Sequence, residues 1–156
     1  MKPKFQDPSA AVLDGKLAQG GLADLLGYQL RKAQVAAYQN FAEVLESQDI
    51  SPGQVGVLLL VRANPGVNQT RVGNALGIDR STLVAVIDRL EERQLIARTP
   101  SPKDRRSHAL MLTSAGESYL KTMLPRLREH ERQIAAGLSG DERRALISML
   151  AKVGVA

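Results

Sequence analysis

Residues 68–93, NQTRVGNALGIDRSTLVAVIDRLEER, hold the signals for two helices and for the short turn between them. Asn68 and Asp79 belong to the residue types that cap helix N-termini. Gly77 can adopt the left-handed conformation that ends many helices, because glycine has no Cβ to clash there. The predicted helices are therefore joined by only three residues, 77–79, which is the spacing of a helix-turn-helix.

The residues that follow indicate a β-hairpin. The two helices are predicted over 69–76 and from Arg80 to about Arg93. After them, LIART (95–99) and HALMLT (108–113) have the composition of strands and bracket a charged loop. A helix-turn-helix followed by such a hairpin is a winged helix, in which the hairpin is the wing.

Amphipathic helices are predicted before this unit. Apolar residues recur at steps of three or four over about 22–47, which indicates a long helix. A second helix is expected from Ser51 to about Arg62, because Ser51 and Gln54 have the spacing of a capping box and Pro52 suits the first helical position.

Helices are also predicted after the wing. Thr113 or Ser114 begins one, with Glu117 completing an S-x-x-E capping box. Ser139 and Glu142 form a second box before a final helix. The predicted fold class is mainly α with a small β-hairpin wing, a winged helix-turn-helix flanked by long helices.

The composition limits the possible functions. The chain has 156 residues, and we expect one domain over 1–156 with an N-terminal arm over 1–20. It contains no cysteine, which excludes disulfides, thiolate metal sites and cysteine nucleophiles. No apolar run is long enough for a signal peptide or a membrane helix, so we expect a cytoplasmic protein without a membrane partner. The net charge is +5, with most of the excess in 71–106, which favours a polyanionic partner.

The hairpin also carries a recognisable motif, D-x-R-x-x-x-L-x-L-T. Its positions are filled by Asp104, Arg106, Leu110, Leu112 and Thr113. With LGIDRSTLVAVIDRLEERQLIAR (76–98), this motif resembles the MarR family of bacterial winged-helix transcription regulators over about 22–153. The glycine usual in the family before LI is Gln94 here. Because a positive φ is costly for any other residue, we expect the helix to end in a different geometry.

The resemblance implies a homodimer built by interlacing helices over about 22–47 and 113–153. It further implies that the unit over about 51–113 binds double-stranded DNA at an inverted-repeat operator, and that a small organic effector controls this binding. We expect a repressor and neither catalysis nor a cofactor.

Candidate DNA contacts fall in three groups. Arg80, Ser81 and Thr82 open the recognition helix, whose first residues meet bases in the major groove; polar residues also simply suit a first helical turn. The preceding helix begins with Asn68, Gln69 and Thr70, and the free amides of a helix N-terminus can bind a phosphate. Helix capping alone would also explain Asn68.

The wing loop is the third group. It contains Lys103, Asp104, Arg105 and Arg106. A charge run is usually a solvated face, but Pro100 and Pro102 stiffen this one. We therefore expect it to contact DNA, with Asp104 holding Arg106 for a narrow minor groove.

Further residues are candidates for effector or metal binding. Tyr28, Arg31 and Tyr38 could line an effector pocket for an aromatic acid or its conjugate, although surface or dimer packing explains them equally well. His108 and His130 are too few for a metal site. The alternatives are a winged helix that binds protein instead of DNA, and an enzyme, for which no phosphate loop, metal cluster or nucleophile pattern is present.

Overall fold

The computed structural model describes residues 19–100 and 108–154. Most of the predicted N-terminal arm and the whole charged part of the wing loop lie outside these residues. The chain divides into two units between Asn40 and Phe41.

The first helix begins later than predicted. A short 3₁₀ helix spans Gly20–Asp24, Leu25 is extended, and helix α1 spans Leu26–Leu45. The prediction of one helix from about residue 22 was therefore wrong at its start. Glycines at 20, 21 and 27 have poor helix propensity, so the apolar spacing alone did not determine where the helix begins.

The helix-turn-helix has the predicted elements. Helix α2 spans Pro52–Ala63, α3 spans Gln69–Leu76 and α4 spans Arg80–Glu92. The capping box before α2 is present, since the Ser51 amide donates to Gln54 Oε1 (2.8 Å) and the Gln54 amide donates to Ser51 Oγ (3.3 Å). Gly77 ends α3 with a φ of 62°.

The wing belongs to a three-stranded antiparallel sheet. Strand β1 spans Val67–Asn68, β2 spans Ile96–Pro100 and β3 spans His108–Leu112, in the order β1-β3-β2. The hairpin of β2 and β3 was predicted, and its register runs from Ile96 opposite Leu112 to Pro100 opposite His108. Strand β1 was not predicted, because two residues carry no periodic signal.

The end of α4 corrects a second expectation. Gln94 has a φ of 57°, so the left-handed geometry expected of glycine is kept by a glutamine. The Gln94 amide donates to the Glu91 carbonyl (2.8 Å), and the Leu95 amide donates to the Leu90 carbonyl (2.9 Å). The Gln94 carbonyl also accepts from Thr113 Oγ1 (2.5 Å). These hydrogen bonds offset the steric cost of the conformation.

Helix α5 spans Ser114–Ile134 and corrects a third expectation. Its cap is Thr113, one of the two predicted starts, and Thr113 Oγ1 accepts from the Gly116 amide (2.9 Å). The predicted box of Ser114 with Glu117 therefore does not form. Glycine is required at position 116 for a steric reason, because a Cβ there would lie 2.0 Å from the Leu95 carbonyl oxygen.

Helix α6 spans Gly140–Leu150 and begins with the predicted capping box of Ser139 and Glu142. The core of the second unit holds the helix-turn-helix, the sheet and α5 together. Its fully buried side chains include Leu58, Val72, Leu83, Ile87, Leu90, Ile96, Leu110, Leu120 and Met123. No helix among the described residues is long and apolar enough to cross a membrane.

Candidate DNA-binding surface

The first turn of α4 is organised by one carboxylate. Asp79 Oδ1 accepts from Ser81 Oγ (2.5 Å) and from the Thr82 amide (3.0 Å), and Asp79 Oδ2 accepts from Thr82 Oγ1 (2.6 Å). These hydrogen bonds, that from the Ser81 hydroxyl first, hold the pKa of Asp79 well below its ordinary value. Asp79, Ser81 and Thr82 are all exposed, so a charged cap presents two positioned hydroxyls at the surface.

Arg80 lies beside residues of the preceding helix. A cleft of about 120 Å³ between α3 and α4 is lined by Gln69, Thr70, Gly73, Asn74, Ile78, Arg80 and Leu83. The close approach of the helices depends on Gly73, because a Cβ there would lie 3.0 Å from Leu83 Cδ2 and 3.3 Å from the Ile78 carbonyl oxygen. The structure thus brings Gln69, Thr70 and Arg80 to one place.

Asn68 has a structural role. Its Oδ1 accepts from the Arg71 amide (2.9 Å), which caps α3, and its backbone pairs with Ala109 in the sheet. The side-chain amide nitrogen is not needed for the cap. A phosphate contact by Asn68 stays a prediction.

Arg98 joins the wing to the recognition helix, which sequence reasoning missed. The guanidinium of this β2 residue donates to Asp88 Oδ1 (2.5 Å) and Glu91 Oε2 (2.5 Å), and its amide donates to Glu91 Oε1 (3.1 Å). The Arg98 side chain is only 20% exposed. Charges of opposite sign at 88, 91 and 98 were visible in the sequence. Their pairing was not predictable, because it depends on how the chain turns between α4 and β2.

Arg93 anchors the C-terminal end of α4, and sequence reasoning missed this as well. Its guanidinium donates to the carbonyls of Asp49 (2.5 Å) and Gln48 (3.3 Å) and lies 5.1 Å from the centre of the Tyr119 ring. The Tyr119 hydroxyl donates to the same Gln48 carbonyl (2.7 Å). The recognition helix is therefore fastened at its C-terminal end to α5 and to the segment before α2.

The remaining predicted DNA contacts belong to the charged segment between β2 and β3 in the sequence. Lys103, Asp104, Arg105 and Arg106 are outside the described residues, so their roles stay predictions. The hairpin leading to them is paired as far as Pro100 and His108.

The candidate effector residues lie on α1. Arg31 and Tyr38 are exposed, Tyr38 to 63%, whereas Tyr28 is partly buried and lies under the Lys32 ammonium at 5.7 Å. At 3.6 residues per turn, the three side chains fall within an arc of about 80°. They share a helix face, and their role as a pocket stays a prediction.

The two histidines have different environments. His130 is buried and packs edge-on against Phe41, with ring centres 5.4 Å apart, whereas His108 is exposed at the start of β3. Within 19–100 and 108–154, no group of three or more His, Cys, Asp or Glu side chains could hold a metal ion.

Comparison with known proteins relates this geometry to a family. The sequence profile of the MarR family matches residues 48–107. The chain is 35% identical over 139 residues to a putative transcriptional regulatory protein for the hcr operon of Thauera aromatica, covering 88% of this chain and 84% of that protein.

Solved structures give the same relationship. The transcriptional repressor CouR bound to a 23-mer DNA duplex is 44% identical, with a TM-score of 0.83 and coverage of 88% of this chain and 97% of CouR. CouR bound to p-coumaroyl-CoA is 42% identical, with a TM-score of 0.78 and coverage of 87% and 96%.

Proposed function

This chain belongs to the MarR family of transcriptional regulators, and we propose that it is a homodimeric repressor released from its operator by an aromatic acyl thioester. It is a DNA-binding regulator and not an enzyme. The observation that carries the proposal is the exposed first turn of α4, where Arg80 and two positioned hydroxyls present hydrogen-bonding groups on a winged-helix scaffold.

We assign DNA contact to the two helix starts and the wing. Arg80, Ser81 and Thr82 would meet base edges, Gln69 and Thr70 with Asn68 would meet phosphates, and the wing loop would reach the adjacent groove. The similarity to DNA-bound CouR over most of both chains supports this assignment.

The surface of α6 supports a dimer. None of the described residues of α6 is buried within the protomer, although its sequence is rich in apolar side chains. Those exposed include Leu146, Ile147, Met149 and Leu150. An apolar helix face of this kind needs a partner surface, and a second copy supplies it by two-fold symmetry. The whole chain would then act as one MarR-like domain.

The effector class follows from the relatives and from α1. CouR binds p-coumaroyl-CoA, a thioester of a phenolic acid. Tyr28, Arg31 and Tyr38 offer phenol rings and a cation on one helix face, which suit an aromatic group and an anionic tail. We therefore propose an aromatic acid joined to coenzyme A as the effector.

A DNA-binding titration tests the proposal. The duplex that the full chain enriches from a random pool serves as operator, and p-coumaroyl-CoA, free coenzyme A and p-coumarate are added separately. We expect the thioester to lower operator affinity by roughly 5-fold or more, within the usual range of coupling between sites. Arg31→Ala should reduce this effect, whereas Arg144→Ala on α6 should not.

Two results would contradict the proposal. Enrichment of no sequence from the pool would refute operator binding. Thioester binding that leaves operator affinity unchanged would refute the assigned effector control.

A further inference from the structure

The hydroxyls at the start of α4 have a fixed polarity. A carboxylate oxygen carries no hydrogen and can only accept. The short contacts of Asp79 with Ser81 Oγ (2.5 Å) and Thr82 Oγ1 (2.6 Å) therefore require both hydroxyls to donate their protons to Asp79. Once those protons are used, each hydroxyl offers only oxygen lone pairs to a further partner.

This polarity selects among the groups that DNA exposes. Phosphate oxygens are acceptors, so a hydroxyl held by Asp79 has no proton to donate to them. In the major groove, the acceptors on the bases are equally unsuitable, whereas the N6 amine of adenine and the N4 amine of cytosine are donors. Arg80 has the opposite character, because a guanidinium only donates.

We propose that Ser81 and Thr82 read the exocyclic amines of adenine or cytosine, and that Asp79 is the positioning residue that sets this specificity. The inference rests on the proposed function, because it requires the first turn of α4 to enter the major groove. Hydroxyl side chains in general can contact either bases or phosphates. The polarity set by Asp79 favours contact with bases.

The Asp79 cap is suited to this task. It holds the Thr82 amide (3.0 Å) together with both hydroxyls, so the helix start and the two oxygens form one unit. The Ser81 and Thr82 side chains are exposed, so their lone pairs are accessible to a ligand. Reading through two pre-oriented acceptors avoids the entropy cost of fixing free hydroxyl rotors on binding.

Base analogues test the proposal directly. In the duplex that the wild-type full chain enriches from a random pool, single adenines are replaced by 2-aminopurine and single cytosines by 2-pyrimidinone. Both changes remove the amine from the major groove. A second series replaces purines by their 7-deaza forms, which removes an acceptor. Affinity is measured for the wild type, Ser81→Ala and Thr82→Val, with Thr82→Ser as the variant that keeps the hydroxyl.

We expect amine removal at one or two positions to weaken wild-type binding by roughly 3- to 10-fold, the effect of one hydrogen bond. The same analogue should cause no further loss of affinity in the variant that lacks the contacting hydroxyl, Ser81→Ala or Thr82→Val. In Thr82→Ser, which keeps the hydroxyl, it should cause the full loss. Because each analogue is compared across protein variants, any effect on duplex stability cancels.

Asp79→Asn gives an independent readout with the cap preserved, because asparagine also caps helices well. The asparagine amide can donate to one hydroxyl and free its proton. That hydroxyl keeps one free lone pair but can now also donate to base or phosphate acceptors, so the cost of the amine analogue at that position should fall.

Several results would overturn the proposal. Ser81→Ala and Thr82→Val could cancel the cost of a 7-deaza purine instead, which would make the hydroxyls donors to bases. They could weaken binding to operator and random duplex equally, which would place them on phosphates. If the wild-type chain enriches no sequence, the proposed function fails, and this inference fails with it.

Discussion

At the scale of single residues, Gln94 shows how hydrogen bonding can keep a strained conformation. Its φ of 57° lies where a side chain clashes with the backbone, at a cost of roughly 1–2 kcal/mol. Three hydrogen bonds around it connect the end of α4 to the turn and to Thr113. The helix end is therefore specified by its connections, and the resemblance to the family anticipated the position but not the residue's conformation.

Gln94→Gly should stabilise the folded protein by about 0.5–1 kcal/mol, because relief of the strain exceeds the extra chain entropy that glycine adds to the unfolded state. Gln94→Ala is the control, since alanine keeps the strain and should bring no gain. Urea unfolding at one fixed protein concentration measures both. A glycine variant no more stable than the alanine variant would show that the conformation carries no strain.

At the scale of elements, the caps of α3 and α4 were predicted correctly from local sequence signals, whereas the equally local box of Ser114 and Glu117 was not. Asn68, Gly77 and Asp79 marked α3 and α4 because caps act within one helical turn. Strand β1 and the hydrogen bonds of Arg93 were not predictable, because they depend on partners more than 40 residues away along the chain. The candidate DNA-binding residues were predicted from their positions in the motif. The hydrogen bonds of Asp79 with Ser81 and Thr82 became evident only in the structure.

The wing and the recognition helix should be energetically coupled through Arg98. A double-mutant cycle of Arg98→Ala and Glu91→Ala should give a coupling of about 0.5–1 kcal/mol, because the Arg98 side chain is only 20% exposed. The matched control is the exposed pair of Arg144 and Asp141 on α6, which should give no measurable coupling. Equal coupling in the two cycles would mean that Arg98 does not fasten the wing.

At the scale of the whole molecule, binding to an inverted-repeat operator requires two copies of the chain. A two-fold dimer places its recognition helices about one turn of DNA apart, so that half-sites lie about 10 base pairs apart. The protomer alone leaves Ile147 55% exposed and Met149 57% exposed on α6. We attribute this exposure to the missing partner surface.

Ile147→Glu should weaken dimerisation by roughly 100-fold or more, because symmetry places the substitution twice in each dimer and each copy loses about 1.5–3 kcal/mol of apolar burial. Arg144→Gln on the same helix should leave the dimer intact. Sedimentation velocity across a concentration series distinguishes the two variants. A fully dimeric Ile147→Glu protein at the wild-type association constant would move the interface away from α6.

Base reading by the first turn of α4 is tested by the affinity of Arg80→Ala for DNA. Binding to the enriched operator and to random duplex is compared for the wild type, Arg80→Ala and Arg144→Ala at one salt concentration. We predict that Arg80→Ala loses roughly 5- to 150-fold on the operator and far less on random duplex, since a bidentate arginine contributes base discrimination. Arg144→Ala should match the wild type on both. Unchanged operator affinity in Arg80→Ala, or an equal loss on both duplexes, would contradict base reading by this helix.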